Sequence, residues 1–295
     1  MSNARLVTIG LPFMDPGDCL AEAVRSVFAQ THADWELILI DDGSTDQSLE
    51  RVRSIDDPRV QVISDGANKG LAARLNQIAD LARGEIICRM DADDLMMPDR
   101  LARQLAVLDG LPEVDVLATG NFSIDDEGAL VGLRDRLHVE FDVLGLLSGS
   151  QGLLHPTCMF RRDWALRHRY DPARRRAQDL DLWVRAVSAG DFRARVIPDL
   201  LYIYRDDRSI SGAKLRAAYR VQQRLVSRHA PARERAGLLA RLAVKTALSP
   251  LTAFASYRRF LRDRRKTRLP TPAERATFMK AMRTIERTSV PGWDR

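Results

Sequence analysis

Two groups of carboxylates stand out by their spacing: the pair Asp41-Asp42, and Asp91, Asp93 and Asp94 in the stretch Asp91-Ala-Asp-Asp94. Each group follows a short apolar run, Trp35–Ile40 for the first and Glu85–Met90 for the second. Aspartate and glycine also make good turns, and one isolated pair would need no other explanation. Two clusters at the ends of equivalent runs point further, because together they supply several oxygen ligands that could hold cations.

The elements that must position these acids alternate along the chain. Arg5–Pro12 is a continuous apolar run, the pattern of a strand buried on both faces, and it stops at Asp15-Pro-Gly17. Leu20, Val24, Val27 and Phe28 then recur at helical spacing, and Ser44, Thr45 or Asp46 is placed to cap the helix after the second strand. Val60–Ile63 reads as a third strand, Leu71, Leu75, Ile78 and Ala82 as a helix ended by Gly84, and Leu101, Leu105 and Leu108 as another behind Pro98. Val114–Thr119 reads as a fifth strand, Asp125–Gly128 as a hairpin turn and Asp179–Ala189 as a helix. Alternation of this kind predicts an α/β fold with a mostly parallel, doubly wound sheet. Ligands of such sheets bind beyond the carboxyl ends of the strands, where both acidic clusters fall.

The chain has 295 residues, 45% of them apolar and 29% charged, ordinary values for a globular protein. Cys19, Cys88 and Cys158 are far apart, so a disulfide framework or a zinc knuckle is not expected, and a reducing compartment fits best. No apolar run is long enough to span a bilayer and none reads as a signal peptide. The net charge of +6 conceals an asymmetry: residues 1–211 carry −10 and residues 212–295 carry +16. An acidic body suited to cations is joined to a basic extension suited to anions.

Six segments in order resemble the inverting glycosyltransferase family 2, whose members have the GT-A fold and use nucleotide-activated sugars. They are Val7–Pro12, Ala23–Thr31 ending in Gln-Thr, Leu39–Asp46, Asn68-Lys-Gly70 with Arg74-x-Asn76, Met90–Asp94, and Gln178-Asp-Leu-Asp-Leu-Trp183. The resemblance spans roughly residues 5–211. It implies a glycosyltransferase domain over 1–211, with 1–110 serving the nucleotide sugar and 111–211 the acceptor, followed by a basic helical extension over 212–295.

Residue by residue, the resemblance implies that Pro12, Phe13 and Asp15 frame the nucleotide base, and that Asp42, with Asp41 nearby, accepts a hydrogen bond from a pyrimidine. Lys69 or Arg74 reaches a phosphate, and Asp91 belongs to the nucleotide-sugar site. Asp94 contacts a Mn2+ or Mg2+ ion, with Asp93 on the ribose or beside the metal. Asp179 is the base that deprotonates the acceptor hydroxyl, while Asp181, two positions on in a helix, points elsewhere. Three departures from the family pattern are visible. Pro12-Phe-Met-Asp15 stands where an aromatic and Asn are usual, and Gln178 replaces the usual Glu. Asp206 or Asp207 occupies a place that often carries His. His155, before Pro156, reads either as an acceptor contact or as a structural histidine.

Other readings of the same residues fail on spacing. Asp91-x-Asp93 could serve a phosphatase of the haloacid dehalogenase type, but Leu95 stands where that family needs Thr or Val. The loop lacks the central Gly and final acid of an EF-hand, and no G-x-G-x-x-G follows the first strand. The alternative from another class is a non-catalytic protein that binds a membrane surface or nucleic acid through its basic extension; few aromatics among its cations argue against nucleic acid. Within the extension, Pro250 predicts a break between two amphipathic helices, and six cations crowd into Arg258–Lys266 beside one acid, Asp263. The expected partners are a nucleoside diphosphate sugar, a saccharide or lipid-linked acceptor and an anionic membrane surface, with the protein cytoplasmic and peripheral on the inner face of the membrane.

Overall fold

A computed structural model describes residues 5–206 and 211–293. Strands β1 (Val7–Phe13) and β2 (Trp35–Asp41) are buried along their whole length, as their unbroken apolar runs require. Side chains alternate across the sheet: Leu37 and Leu39 of β2 enter one core with Leu20, Val24 and Val27 of α1 (Cys19–Phe28) and Leu101, Leu105 and Leu108 of α4 (Arg100–Asp109). Ile38 and Ile40 enter the opposite core with Leu75 and Ile78 of α3 (Leu71–Leu81). Between these elements lie α2 (Ser48–Arg53), β3 (Val60–Ser64) and β4 (Ile86–Arg89).

The later part of the chain extends the same sheet. It contributes β5 (Leu95–Met96), β6 (Val116–Ile124), β7 (Leu130–Arg134), β8 (Met159–Arg161) and β9 (Ala194–Arg205). The order is β3-β2-β1-β4-β8-β6-β9-β5, with β7 paired to β6. Tracing the pairings, six of the nine strands (β1, β2, β3, β4, β6 and β9) run one way, and β5, β7 and β8 run against them. The sheet is therefore mostly parallel and flanked by helices, the expected α/β fold. The reversed strand β8 joins the two groups of parallel strands. Where β6 shifts register against β9, Gly120 sits so close to neighbouring backbone that a Cβ would lie 2.5 Å from the Arg134 carbonyl oxygen.

Two local expectations need correction and a third holds. The strand expected at Val114–Thr119 begins at Val116 and continues to Ile124, because Asn121 and Ser123 are buried by pairing on both sides. Helix α2 starts after Gln47, and neither Ser44 nor Thr45 caps it; Asp46 accepts a bond from the first helical amide, Ser48 N, at 3.0 Å. The Asp125–Gly128 turn is present, with Gly128 at φ +81° and its amide bonded to the Asp125 carbonyl. Helices α5 (Val143–Ser148), α6 (Arg162–Arg167) and α7 (Gln178–Ser188) complete this part.

The basic extension is helical: α8 (Gly212–His229), α9 (Ala232–Leu248), α10 (Ala255–Asp263) and α11 (Pro272–Arg287). Pro250 lies in a 3-10 turn, Ser249–Ala253, that separates α9 from α10. Leu225 and Val226 of α8 and Leu238 and Leu242 of α9 are buried in the core that contains α3 and α7. On the far side, Phe278, Ala281 and Ile285 of α11 pack with Leu95, Phe122 and Ile203. The extension thus grips the body from two sides. No helix among the described residues is long and apolar enough to cross a membrane.

Candidate active site

The carboxyl ends of β1 and β4 open into a cavity of about 580 Å3. Its walls include Pro12, Phe13 and Asp15 after β1, Asp91 and Asp93 after β4, Tyr204 and Arg205 at the end of β9, and Arg176 before α7. The extension closes the mouth with Lys214 of α8 and with Arg265 just beyond α10. Among the described residues, both non-glycine residues with left-handed backbone, Asp15 at φ +46° and Ala177 at φ +51°, stand at or beside this site.

Asp91, Asp93 and Asp94 can place one oxygen each within 4.8 Å of one another. Three converging carboxylates are hard oxygen donors, so the donor set suits Mg2+ or Mn2+. They are not equivalent. Asp91 is held by the buried Arg89 through two bonds of 3.0 and 2.5 Å. Asp93 lines the cavity. Asp94 is buried behind it, accepting the Tyr202 hydroxyl at 3.0 Å and the Arg205 amide at 2.8 Å. Burial, then the neighbouring Asp93 and Asp91 charges, push the Asp94 carboxyl well above the usual carboxylate range.

The other acids after strands organise loops. Asp41 accepts the Ser44 amide and the Ser64 hydroxyl, each at 2.8 Å. Asp42 accepts the Lys69 and Gly70 amides and the Arg74 guanidinium. Arg74 is fully buried, and its remaining nitrogens reach Asp65, Gln77 and the Ala67 carbonyl. Lys69 pairs with Asp65 at 2.7 Å. Asp41, Asp42, Lys69 and Arg74 are thus grouped together at the end of β2, and none is among the residues that wall the cavity. Asp15 does both: it lines the cavity and accepts bonds from Thr45 and Asp46, which hold its carboxyl below the usual range.

Asp179 is the second residue of α7, with Ala177 as the preceding cap, so it is not itself the helix cap. Burial raises its carboxyl above the ordinary value; the Leu180 amide and the Arg89 charge act the other way. Asp181 is turned away and pairs with Arg185 at 2.9 Å and Arg174 at 3.5 Å. His155 is buried, bonded to the Tyr170 hydroxyl at 2.7 Å, and kept neutral by burial and by Arg89. That environment is a structural one. Asp206 is buried and paired with Arg134 and Arg265; Asp207 lies outside the described residues.

Five wall residues with polar or charged side chains escape sequence reasoning: Arg176, Tyr204, Arg205, Lys214 and Arg265. Arg205 is the most connected, reaching the Asp93 carbonyl, Glu22 and the carbonyls of Asp125 and Asp126. Only the cationic run Arg258–Lys266 hinted at one of them, since Arg265 belongs to it.

Comparison with known proteins agrees with this fold. The chain is 34% identical over 194 residues to the putative glycosyltransferase EpsE of Bacillus subtilis, covering 64% of this chain and 68% of that protein. S. aureus TarS 1–349 in complex with UDP-GlcNAc matches with a TM-score of 0.61 at 18% identity, over 97% of this chain and 81% of that one. The mannosyltransferase PcManGT from Pyrobaculum calidifontis, in complex with GDP-Man and Mn2+, matches with a TM-score of 0.60 at 18% identity, over 97% and 87%. The sequence model described as glycosyl transferase family 2 matches residues 8–170, more than half the chain. The chain belongs to glycosyl transferase family 2 and is a glycosyltransferase.

Proposed function

We propose that the protein is a metal-dependent, inverting glycosyltransferase that moves a sugar from a UDP-sugar to a hydroxyl of a saccharide or lipid-linked acceptor, in the assembly of a cell-surface polysaccharide or glycolipid. The observation that carries this reading is the cavity at the carboxyl ends of the strands with Asp91 and Asp93 in its wall. The nucleotide sugars named with the two structural neighbours, and the Mn2+ of one, support it.

A bound Mn2+ or Mg2+ would offset the charge that builds on the leaving diphosphate. In this reading Asp93, in the cavity wall, and Asp94, buried behind it, would hold the metal, with Asp91 kept in place by Arg89. Pro12, Phe13 and Asp15 frame the base, and Asp41 and Asp42 act by fixing the loops beside it. Arg74 then serves the nucleotide indirectly, by tying the loop that carries Lys69 to Asp42 and Asp65. Asp179 takes the proton of the acceptor hydroxyl as that oxygen attacks the anomeric carbon from the face opposite the leaving group, which inverts the centre. A thermal-shift panel of nucleotide sugars tests the donor assignment without an acceptor. One nucleotide class should stabilise the protein with Mn2+ and not in EDTA. Stabilisation by none of them overturns the reading, and selection of guanosine rather than uridine donors corrects the nucleotide.

The same reading puts α10 on an anionic membrane surface. Phe254 and Phe260 are 64% and 51% exposed, and α10 buries no residue, while Arg258, Arg259, Arg262 and Arg264 flank these rings. Each cation near such a surface contributes about 1 kcal/mol. Full-length protein should co-sediment with phosphatidylglycerol vesicles in a salt-sensitive way, and not with phosphatidylcholine vesicles. Phe254→Ser with Phe260→Ser should lower that binding several-fold; equal binding by the variant removes α10 from the membrane. Truncation after Ser211 is a poor control, since it strips Leu225, Val226, Leu238 and Leu242 from the core.

A further inference from the structure

Three consecutive arginines, Arg174-Arg-Arg176, lie just before α7, and each has a different setting. Arg174 stays local, with Asp171 at 3.2 Å and Asp181 of α7 at 3.5 Å. Arg175 crosses to the loop before α3. Its guanidinium donates to the Asn68 side-chain oxygen at 2.9 Å and to the Asn68 carbonyl at 3.4 Å, and it lies over Gly70, where a side chain on residue 70 would stand. Arg176 is exposed and lines the cavity that contains Asp91 and Asp93, yet it has no hydrogen-bond or ion-pair partner among the described residues. The other cations of this wall are engaged. Arg205 is bound to the Asp93, Asp125 and Asp126 carbonyls and to Glu22, Arg265 pairs with Asp206 at 4.0 Å, and Lys214 also interacts within the protein.

The segment that presents Arg176 is pinned at its other end as well. Tyr170 exchanges two bonds with the Asn76 side chain of α3, each 2.9 Å, and Arg169 pairs with Asp80 at 2.6 Å. Asn68 and Asn76 thereby hold residues 170–175 against α3 and the loop before it. The left-handed Ala177 follows and leads into the helix of Asp179.

We propose that Arg176 is a further catalytic residue, which binds the β-phosphate of the donor, and that Arg175 is the positioning residue that holds it there through Asn68. The inference rests on the glycosyl-transfer reading and deepens it, by naming the side chain that serves the leaving group. As the acceptor oxygen bonds to the anomeric carbon, its proton passes to Asp179. The bond from that carbon to the β-phosphate breaks, and its electron pair goes to the phosphate oxygen. The diphosphate gains a negative charge beside a wall that contains Asp91 and Asp93. Arg176 meets charge that a carboxylate-bound cation leaves unbalanced, and its planar fork suits two phosphate oxygens at once. Because Arg176 is unpaired, no ion pair has to break first. It lies three residues before Asp179, which puts it at the sugar end of the diphosphate rather than beside the base.

The test titrates full-length protein in Mn2+ with UDP, GDP, UMP and GMP, followed by calorimetry. Whichever base wild type selects, Arg176→Gln should bind its diphosphate at least about tenfold more weakly, from the loss of a charge-assisted contact, and its monophosphate like wild type. Arg176→Lys should recover part of the loss. Arg175→Gln should weaken the diphosphate several-fold without weakening the monophosphate, and should add nothing in the Arg176→Gln background, because it acts through Arg176. Both arginines are exposed, so the free variants should unfold in denaturant like wild type. Equal diphosphate affinity in Arg176→Gln overturns the proposal, as does an equal loss of both nucleotides. Additive losses in the double variant overturn the positioning role of Arg175. Absence of nucleotide binding by wild type defeats the transferase reading itself, whereas normal wild-type binding with an unaffected Arg176→Gln defeats the inference alone.

Discussion

Asp179→Asn leaves nucleotide binding intact and lowers sugar transfer by about a hundredfold or more, the usual range for loss of a general base. The substitution keeps the size of the side chain and its place at the start of α7, so helix and fold should survive. The residues next to it in sequence do not replace the lost group: residue 178 is Gln, and Asp181 is engaged by Arg185 and Arg174. The ionised form is the active base. Burial raises the Asp179 carboxyl, so wild-type transfer should fall as pH drops through a value above the ordinary 3.8, and that acid limb should vanish from the residual activity of the variant. Steady-state transfer and its pH profile check both points. Near wild-type turnover in the variant would move the base elsewhere.

The second large effect concerns the metal. With nucleoside diphosphate at a hundred times its Kd, wild-type protein and Mn2+ should show about 2.7 kcal/mol of added stability, lost in excess EDTA. Asp93→Ala should lose most of this gain with little change in the stability of the free protein, because Asp93 lies at the cavity wall. Asp94→Ala should lose it too, and should also lower the stability of the free protein. The Tyr202 hydroxyl and the Arg205 amide both donate to Asp94 in a buried setting, and a buried donor without a partner costs about 1–3 kcal/mol. Chemical denaturation of the free variants and thermal shifts with nucleotide separate the two. Equal nucleotide binding in EDTA by wild type would remove the metal from the donor site altogether.

The paired variants illustrate what spacing can and cannot reveal. Three acids within four positions mark a candidate cation site, but not which oxygen faces the ligand. Asp94 is turned inward because β5 follows it at once and pairs with β9, bringing Tyr202 and the Arg205 amide onto its carboxylate. Similarly, Asp42 and Arg74 are recognisable by type in a sequence, but their mutual bond joins positions 32 residues apart. The helix that carries Asp179 was visible; the left-handed Ala177 that precedes it was not, since nothing in the residue type alanine signals that backbone.

The sequence by itself determined the alternation of strands and helices from β1 to β4, the helix α4, the placement of both acidic clusters at strand ends, the Asp125–Gly128 turn and the break at Pro250. These are local properties: burial on two faces, helical periodicity, and the φ limits of glycine and proline act over a few residues. Only the tertiary structure decided that β8 enters the sheet reversed, that the basic extension grips the body from both sides, and that Lys214 and Arg265 wall the cavity. Those outcomes depend on which apolar faces find one another across long stretches of chain. The apolar side chains of α8 and α9 pay for the loop closure by burying in the core that also holds α3 and α7, and Lys214 at the start of α8 is carried to the site as a consequence.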